Sequence, residues 1–294
     1  MKYIRKTEKP ITDNFLMELL KERGLPIEDN ADEFFHPTHD NENDPMLLDH
    51  MEEGYEMLSK CIKNNGKIYI CVDSDVDGFT SAALTYNFLK QAPIFHDYEF
   101  TIDYHIPDGK EHGLQTIMDI FTNEKICDLI ILPDSSSNDY EEHKILKEMG
   151  YDILILDHHD ADHYSENAVV INNQLSQYYP NKDLSGVGVV YKFFEYFEER
   201  YISEHYKLNC LSPEPTINNY IDLVALGEIS DMMNMNTIEN RYICETGLTN
   251  INNTFFKELV KKQEFSIGKE LTQIGVAFYI TPLINALIRM GTEQ

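Results

Sequence analysis

Residues 67–89, KIYICVDSDVDGFTSAALTYNFL, join an apolar run of strand length to a Ser- and Ala-rich run of helical composition. Between the two runs, Asp73, Asp75 and Asp77 crowd three like charges together directly before Gly78. Neighbouring carboxylates repel one another unless a cation lies among them. The stretch therefore predicts a buried strand, an acidic turn that needs an explanation, and a helix.

The same alternation of strand and helix patterns continues along the chain. SAALTYNFLKQ, LQTIMDIFTNE and DYEEHKILKEMG are the helical patterns between the apolar runs, and from residue 185 onward the pattern is helical. This order predicts an α/β fold with a doubly wound, mainly parallel sheet, followed by a helical region. The strand candidates are 67–72, 100–106, 127–132, 152–156 and 168–171.

Composition limits the classes of function. The 294 residues carry a net charge of −27, which opposes non-specific adhesion to DNA or to anionic membranes. No signal peptide and no apolar run long enough to span a bilayer is evident, so we expect a cytoplasmic protein without a membrane partner. The five cysteines are scattered and form no CxxC pair, which argues against a zinc site or a disulfide framework.

Three predicted strands end in side chains that can bind metal. Strand 67–72 runs into the three aspartates, strand 127–132 runs through Pro133 into Asp134, and strand 152–156 runs into DHHD at 157–160. Ligands of open parallel sheets gather beyond the carboxyl ends of the strands. Carboxylates prefer Mg²⁺ or Mn²⁺, and imidazole adds Mn²⁺ or later transition metals. The conjunction predicts a divalent-cation site at this edge of the sheet.

Two simpler interpretations of the acidic turn remain open. DSDVDG matches half of a calcium loop, but the glutamate expected at the twelfth position is replaced by Leu84. A solvated acidic turn is the other interpretation, and DHHD taken alone is more often a surface feature than a metal site.

The motifs DSDVDG, PDSSS, DHH and LVALGEISDMM, in this order, resemble the DHH phosphoesterase superfamily, and in particular its RecJ-like single-stranded-DNA exonucleases. Further stretches that resemble this branch are DPMLLDHM (44–51), LSGVGVVYK (184–192), VALGEISDMMNMNTIENR (224–241) and PLINALIRMG (282–291). The chain departs from the pattern at Cys71, where some members have histidine, and at Ser135-Ser136, where the family often has Asn-Gly.

The resemblance implies a site with two divalent cations, Mn²⁺ or Mg²⁺. Asp134 would bridge the ions and His159 would lie beside the scissile phosphate, so these two are the implied catalytic residues. Two such ions can activate a water and neutralise phosphate charge. The implied metal ligands are Asp73, Asp75, Asp77, Asp134, His158 and Asp231, with Asp73 in a supporting position.

Contacts to the substrate are implied at seven positions. Lys110 would replace a missing phosphate-binding arginine, and the glycines would offer N–H groups at a helix N-terminus. Some have a simpler alternative: a helix-surface arginine for Arg289, a turn cap for His112, and a close approach of helix and sheet for the two glycines. The implied substrate-binding residues are Lys110, His112, Gly186, Gly188, Arg241, Asn285 and Arg289.

The leading functional hypothesis is a metal-dependent phosphodiesterase that degrades single-stranded DNA from the 5′ end towards the 3′ end. The alternatives are a phosphodiesterase for short oligonucleotides or cyclic dinucleotides, and a non-catalytic partner protein in a replication or repair assembly. Residues 1–45 would be an N-terminal extension, 46–265 the DHH domain, and 266–294 a connector helix.

The resemblance also implies a second, DHHA1-like domain, which is absent from this chain. Its place would be taken by a further C-terminal segment or by a partner subunit. Because no aromatic platform for stacking bases is evident in the sequence, we expect the chain alone to hold DNA weakly.

Overall fold

The computed structural model describes residues 15–25, 31–109, 112–206 and 214–290. Five strands form one sheet in the order β2-β1-β3-β4-β5, and every neighbouring pair is parallel. The predicted doubly wound parallel sheet is confirmed, and each of the five predicted strands is present to within two residues. The strands are β1 (Lys67–Cys71), β2 (Thr101–His105), β3 (Leu129–Pro133), β4 (Asp152–Asp157) and β5 (Val169–Asn172).

Helices surround the sheet and make up the region after it. The segment Val276–Ile280, which joins the last two helices, is π-helical. The α-helices are α1 (Phe15–Glu22), α2 (Ala31–Phe35), α3 (Met51–Lys63), α4 (Val76–Gln91), α5 (Met118–Thr122), α6 (Tyr140–Glu148), α7 (Gly186–His205), α8 (Ile221–Ser230), α9 (Ile238–Thr249), α10 (Thr254–Lys262), α11 (Glu264–Ile267), α12 (Gln273–Gly275) and α13 (Thr281–Met290).

Two apolar layers cover the two faces of the sheet. Leu129 and Ile131 of β3 pack into the layer under α3, α4 and α7, whereas Ile130 and Leu132 pack into the layer under α5 and α6. Successive side chains of a strand point to opposite faces. A strand that is covered on both sides is therefore apolar at every position, which is why β3 shows no alternation of polar and apolar residues.

The C-terminal helices form a third apolar cluster beside α4. Helix α8 is buried from Ile221 to Ile229 and packs on α4, α7 and α9. Its side chains are apolar around most of its circumference, as expected for a helix enclosed by others. Ile280, Ile284 and Ile288 fix the last helical segment to this cluster.

Helix α3 begins at Met51, because Pro45–Leu47 form a 3₁₀ turn capped by Asp44, and Met46 and Leu47 are exposed. From the sequence we expect no apolar run long enough to span a bilayer, but Gln273–Met290 meets that criterion by length and composition alone. One third of this segment is buried against the protein.

Candidate metal centre

The acidic turn after β1 is folded back by the start of α4. Asp75 caps this helix, and its Oδ1 accepts a hydrogen bond of 2.9 Å from the Gly78 N–H. A side chain at Gly78 would put its Cβ 2.5 Å from the Cβ of Asp73. Glycine is therefore required here for the turn to close, and Asp73 and Asp77 are both buried.

Asp77 is held by the first turn of α7. Its carboxylate accepts hydrogen bonds from the N–H groups of Gly186 at 2.7 Å and Val187 at 3.1 Å. Burial, together with the nearby carboxylates of Asp231 and Asp75, nevertheless raises the pKa of Asp77 to about 7. The cause is the cost of a buried negative charge, which a cation at this place would remove.

Asp134 stands at the end of β3 with a left-handed backbone, φ 70°. Both of its carboxylate oxygens are buried and accept no hydrogen bond from any described residue. Burial and the neighbouring aspartates raise its pKa well above the usual value. A buried carboxylate without partners is costly, so these two oxygens mark a place for a positively charged ligand.

His158 joins the carboxylates from β4. Its Nε2 lies 3.2 Å from Asp134 Oδ1, 3.5 Å from Asp231 Oδ2 and 3.8 Å from Asp77 Oδ2. Burial, and then the charge of His159, lowers the pKa of His158 to about 4, which leaves the imidazole neutral and able to bind a metal.

All six predicted metal ligands therefore meet at the carboxyl edge of the sheet. Within each set, one potential ligand atom per residue lies within 4.8 Å of the others. The carboxylates and the neutral imidazole match the donors that Mn²⁺ and Mg²⁺ accept. The three sets are Asp73, Asp75 and Asp134; Asp77, His158 and Asp231; and Asp134, His158 and His159.

His159 is paired with Asp157, a residue to which the sequence reasoning gave no role. The buried carboxylate of Asp157 lies 2.8 Å from His159 Nδ1, and this hydrogen bond is the main cause that raises the pKa of His159 to about 9. Although burial opposes it, hydrogen bonds from His159 and Ser137 hold the pKa of Asp157 well below its usual range. Its position at the end of a predicted strand was the sequence feature that could have identified Asp157 as a residue of the site.

His112 reaches the site from the loop after β2. Its Nδ1 lies 2.8 Å from Asp73 Oδ1, and its ring centre lies 5.7 Å from that of His159. The hydrogen bond to Asp73 raises the pKa of His112. Lys110 lies outside the described residues.

The two glycines at the start of α7 direct their N–H groups into the protein. Gly186 donates to Asp77, and Gly188 donates to Ser185 Oγ at 3.3 Å. A Cβ at Gly186 would lie 2.2 Å from Asp134 Oδ1. Both N–H groups are thus engaged within the protein, which favours the alternative of a close approach of helix and sheet.

The three remaining predicted contacts lie on two C-terminal helices. Arg241 Nε donates to the carbonyl of Phe34 at 2.7 Å, and the guanidinium stacks 4.1 Å from the ring centre of Phe34, so this arginine anchors α2. Asn285 is half-buried and Arg289 is exposed on α13, whose Thr281 contacts Ser230 beside the metal centre.

This arrangement of strand ends is that of the DHH family. The N-terminal domain of the DHH family matches residues 67–227, more than half of the chain, and the chain belongs to this family.

Two relatives and one solved structure illustrate the likeness. YorK, a protein of Bacillus subtilis named as a prophage-derived single-strand DNA-specific exonuclease, is 38% identical over 248 residues, which are 84% of this chain and 40% of YorK. The single-stranded-DNA-specific exonuclease RecJ of the same species is 30% identical over 97% of this chain and 34% of RecJ. The chain thus spans about two fifths or less of the length of these relatives.

A crystal structure of RecJ from Thermus thermophilus in complex with Mn²⁺ shares the fold. It superposes with a TM-score of 0.63 at 22% identity, over 83% of this chain and 33% of that RecJ. Other RecJ structures contain manganese or Mg²⁺.

Proposed function

We propose that this chain carries the catalytic centre of a metal-dependent exonuclease, which hydrolyses single-stranded DNA from the 5′ end. The observation that supports this most directly is the pair of buried Asp134 oxygens, which accept no hydrogen bond from the described residues and are enclosed by a neutral histidine and further carboxylates. The names of the YorK and RecJ relatives supply the substrate class.

We assign two divalent cations, Mn²⁺ or Mg²⁺, to the centre. Asp134 belongs to two of the ligand sets, so it is the residue suited to bridge two ions. Asp77, His158 and Asp231 would hold one ion, and Asp73 and Asp75 the other. Bound divalent cations lower the pKa of water and neutralise the charge of a phosphodiester.

The protein's own contribution to the reaction centres on His159. In the centre without bound cations, the hydrogen bond to Asp157 raises the pKa of His159 to about 9, so that the imidazole carries protons on both Nδ1 and Nε2 at neutral pH. The Nε2–H is then available to donate a hydrogen bond to a phosphate oxygen and to stabilise charge that develops there. His112 occupies the adjacent position and can add a second donor.

The negative net charge of the chain affects its affinity for single-stranded DNA. Strand affinity scales with the number of phosphates neutralised by Lys and Arg, and a net charge of −27 opposes it. We propose that a further C-terminal segment or a partner subunit supplies the missing affinity, and that the protein acts in the cytoplasm.

The test is an assay in Mn²⁺ with 5′-labelled single strands, the matching duplex and dinucleotides, for wild type and Asp134→Asn. We expect release of labelled mononucleotide from the single strand and none from the variant. Cleavage of dinucleotides but not of longer strands would assign the alternative substrate. Equal turnover by Asp134→Asn would overturn the assignment of the centre.

A further inference from the structure

An apolar groove opens beside the metal centre on the β2 side of the sheet. It consists of two adjoining cavities of about 400 Å³ and 280 Å³ that share Phe79, Ala83 and Ile106. We call it the α4 groove, because α4 forms its floor. Its principal lining residues are Val76, Phe79, Tyr104, Ile106, Phe255 and Leu287.

The groove and the metal centre share one edge of the sheet. Val76, which lines the groove, stands between Asp75 and Asp77 in the acidic turn. Ile106 and Pro107 follow the carboxyl end of β2, the edge at which the aspartates gather. The groove and the metal centre therefore lie side by side at the carboxyl edge of the sheet.

The lining combines exposed aromatic rings with an absence of charge. Tyr104 is 52% exposed and Phe255 is 53% exposed, and the Tyr104 ring packs edge-on against Tyr86. Among the described residues that line the groove none is charged, although the chain has 51 acidic residues. Lys90 stands over Tyr86 at 5.9 Å, and Arg289 follows the lining residue Ile288. The groove thus offers π-faces, with cations beside it.

We propose that the α4 groove binds the bases of the single-stranded nucleic acid while its phosphate lies at the metal centre. This inference rests on the proposed function and names the part of the protein that recognises the bases. Every base has a π-face, so stacking on aromatic side chains holds a strand without a requirement for sequence. A large exposed apolar surface beside a catalytic centre is the place where such binding is expected.

The sequence alone did not indicate an aromatic platform, because the aromatic residues that line the α4 groove are far apart in the chain. Phe79 belongs to α4, Tyr104 to β2 and Phe255 to α10. The fold alone brings them to one groove, and no local pattern marks them.

The experiment compares a fluorescent oligothymidylate with an oligomer of the same length that has abasic deoxyribose in place of the nucleosides. Binding is measured by anisotropy for wild type, Tyr104→Ala and Phe255→Ala. Tyr178→Ala and Phe265→Ala are matched controls, because these rings are 73% and 101% exposed and line neither cavity. Thermal melting of each variant establishes that it is folded.

We expect wild type to bind the base-bearing oligomer more tightly than the abasic one. In each groove variant the ratio of the two affinities should fall about tenfold. The controls should keep the wild-type preference. Equal affinity of wild type for both oligomers, or an unchanged preference in both groove variants, would overturn the proposal. Hydrolysis in Mn²⁺ separates the two claims: a cleaved strand with no base preference refutes the groove alone, and no cleavage by wild type refutes the proposed function. If wild type is a dimer and the groove variants are monomers, the groove is an interface between two copies of the chain. That result would also overturn the proposal.

Discussion

Gly186 is not a candidate metal ligand, but we expect Gly186→Ala to impair metal binding and turnover. The added Cβ would lie 2.2 Å from Asp134 Oδ1 and 2.5 Å from Asp134 Cγ, whereas side-chain carbons essentially never approach other heavy atoms within 3.0 Å. The Asp134 carboxylate therefore has to move by about 0.8 Å or more. Its left-handed backbone and buried surroundings leave little room for this movement.

The size of the effect follows from this displacement. Overpacking of this kind costs about 1–3 kcal/mol of stability. Displacement of a reacting group by about 1 Å costs roughly 100-fold in turnover. We also expect Mn²⁺ affinity to fall about 10- to 100-fold, as when a residue that supports a ligand is changed.

The assay is calorimetric titration with Mn²⁺, together with hydrolysis of a labelled strand and thermal melting. Gly275→Ala is the matched control, because its added Cβ would meet its nearest neighbour at an ordinary 3.4 Å and the helix should gain stability. Wild-type Mn²⁺ affinity in a folded Gly186→Ala protein would refute the close-packing argument.

Three further predictions concern charge. Asp157→Asn should bring the pKa of His159 down from about 9 towards the ordinary value of about 6.5, which NMR titration of the imidazole measures. Lys192→Met should cost about 3–5 kcal/mol in denaturant unfolding, because it leaves three glutamates without the buried cation that contacts them at 2.6–3.5 Å. Mn²⁺ affinity should rise with pH through the range of about 6 to 7. The reason is that the pKa of Asp77 is raised to about 7, and its carboxyl must lose a proton before it can bind the cation. His158 is already neutral in this range.

The results that contradict these predictions are specific. An unchanged imidazole titration in Asp157→Asn would remove the role assigned to this carboxylate. Unfolding of Lys192→Met at the wild-type denaturant concentration would show that the buried ion pairs stabilise nothing. A binding constant that is flat between about pH 5.5 and 8 would mean that no carboxylate of the apo centre carries a proton.

The sheet and the convergence of the candidate metal ligands were predictable for a common reason. Parallel strands bring their carboxyl ends to one edge, so Asp73, Asp134 and His158, each placed just after an apolar run, had to approach one another. The motif resemblance added Asp231, which comes from α8 and which no strand pattern could have located.

The surroundings of the ligands were less predictable. The N–H groups at the start of α7 face Asp77 rather than solvent, and this depends on where the helix docks. Likewise, Arg241 is occupied by Phe34, a residue of a distant segment. Whether a basic side chain or a glycine is free for a ligand is decided by tertiary contacts, which residue type and spacing do not encode.

The origin of the ligands in separate elements has a consequence for folding. Asp77, Asp134, His158 and Asp231 come from α4, from the ends of β3 and β4, and from the end of α8. A cation held by all of them would act as a cross-link between the sheet and the helical region, and it would bind the native state in preference to the unfolded chain. At a free concentration one hundred times the dissociation constant, this linkage is worth about 2.7 kcal/mol. Hydrogen exchange after chelation should therefore speed up first at the C-terminal end of α8, while the amides of β3 keep their protection.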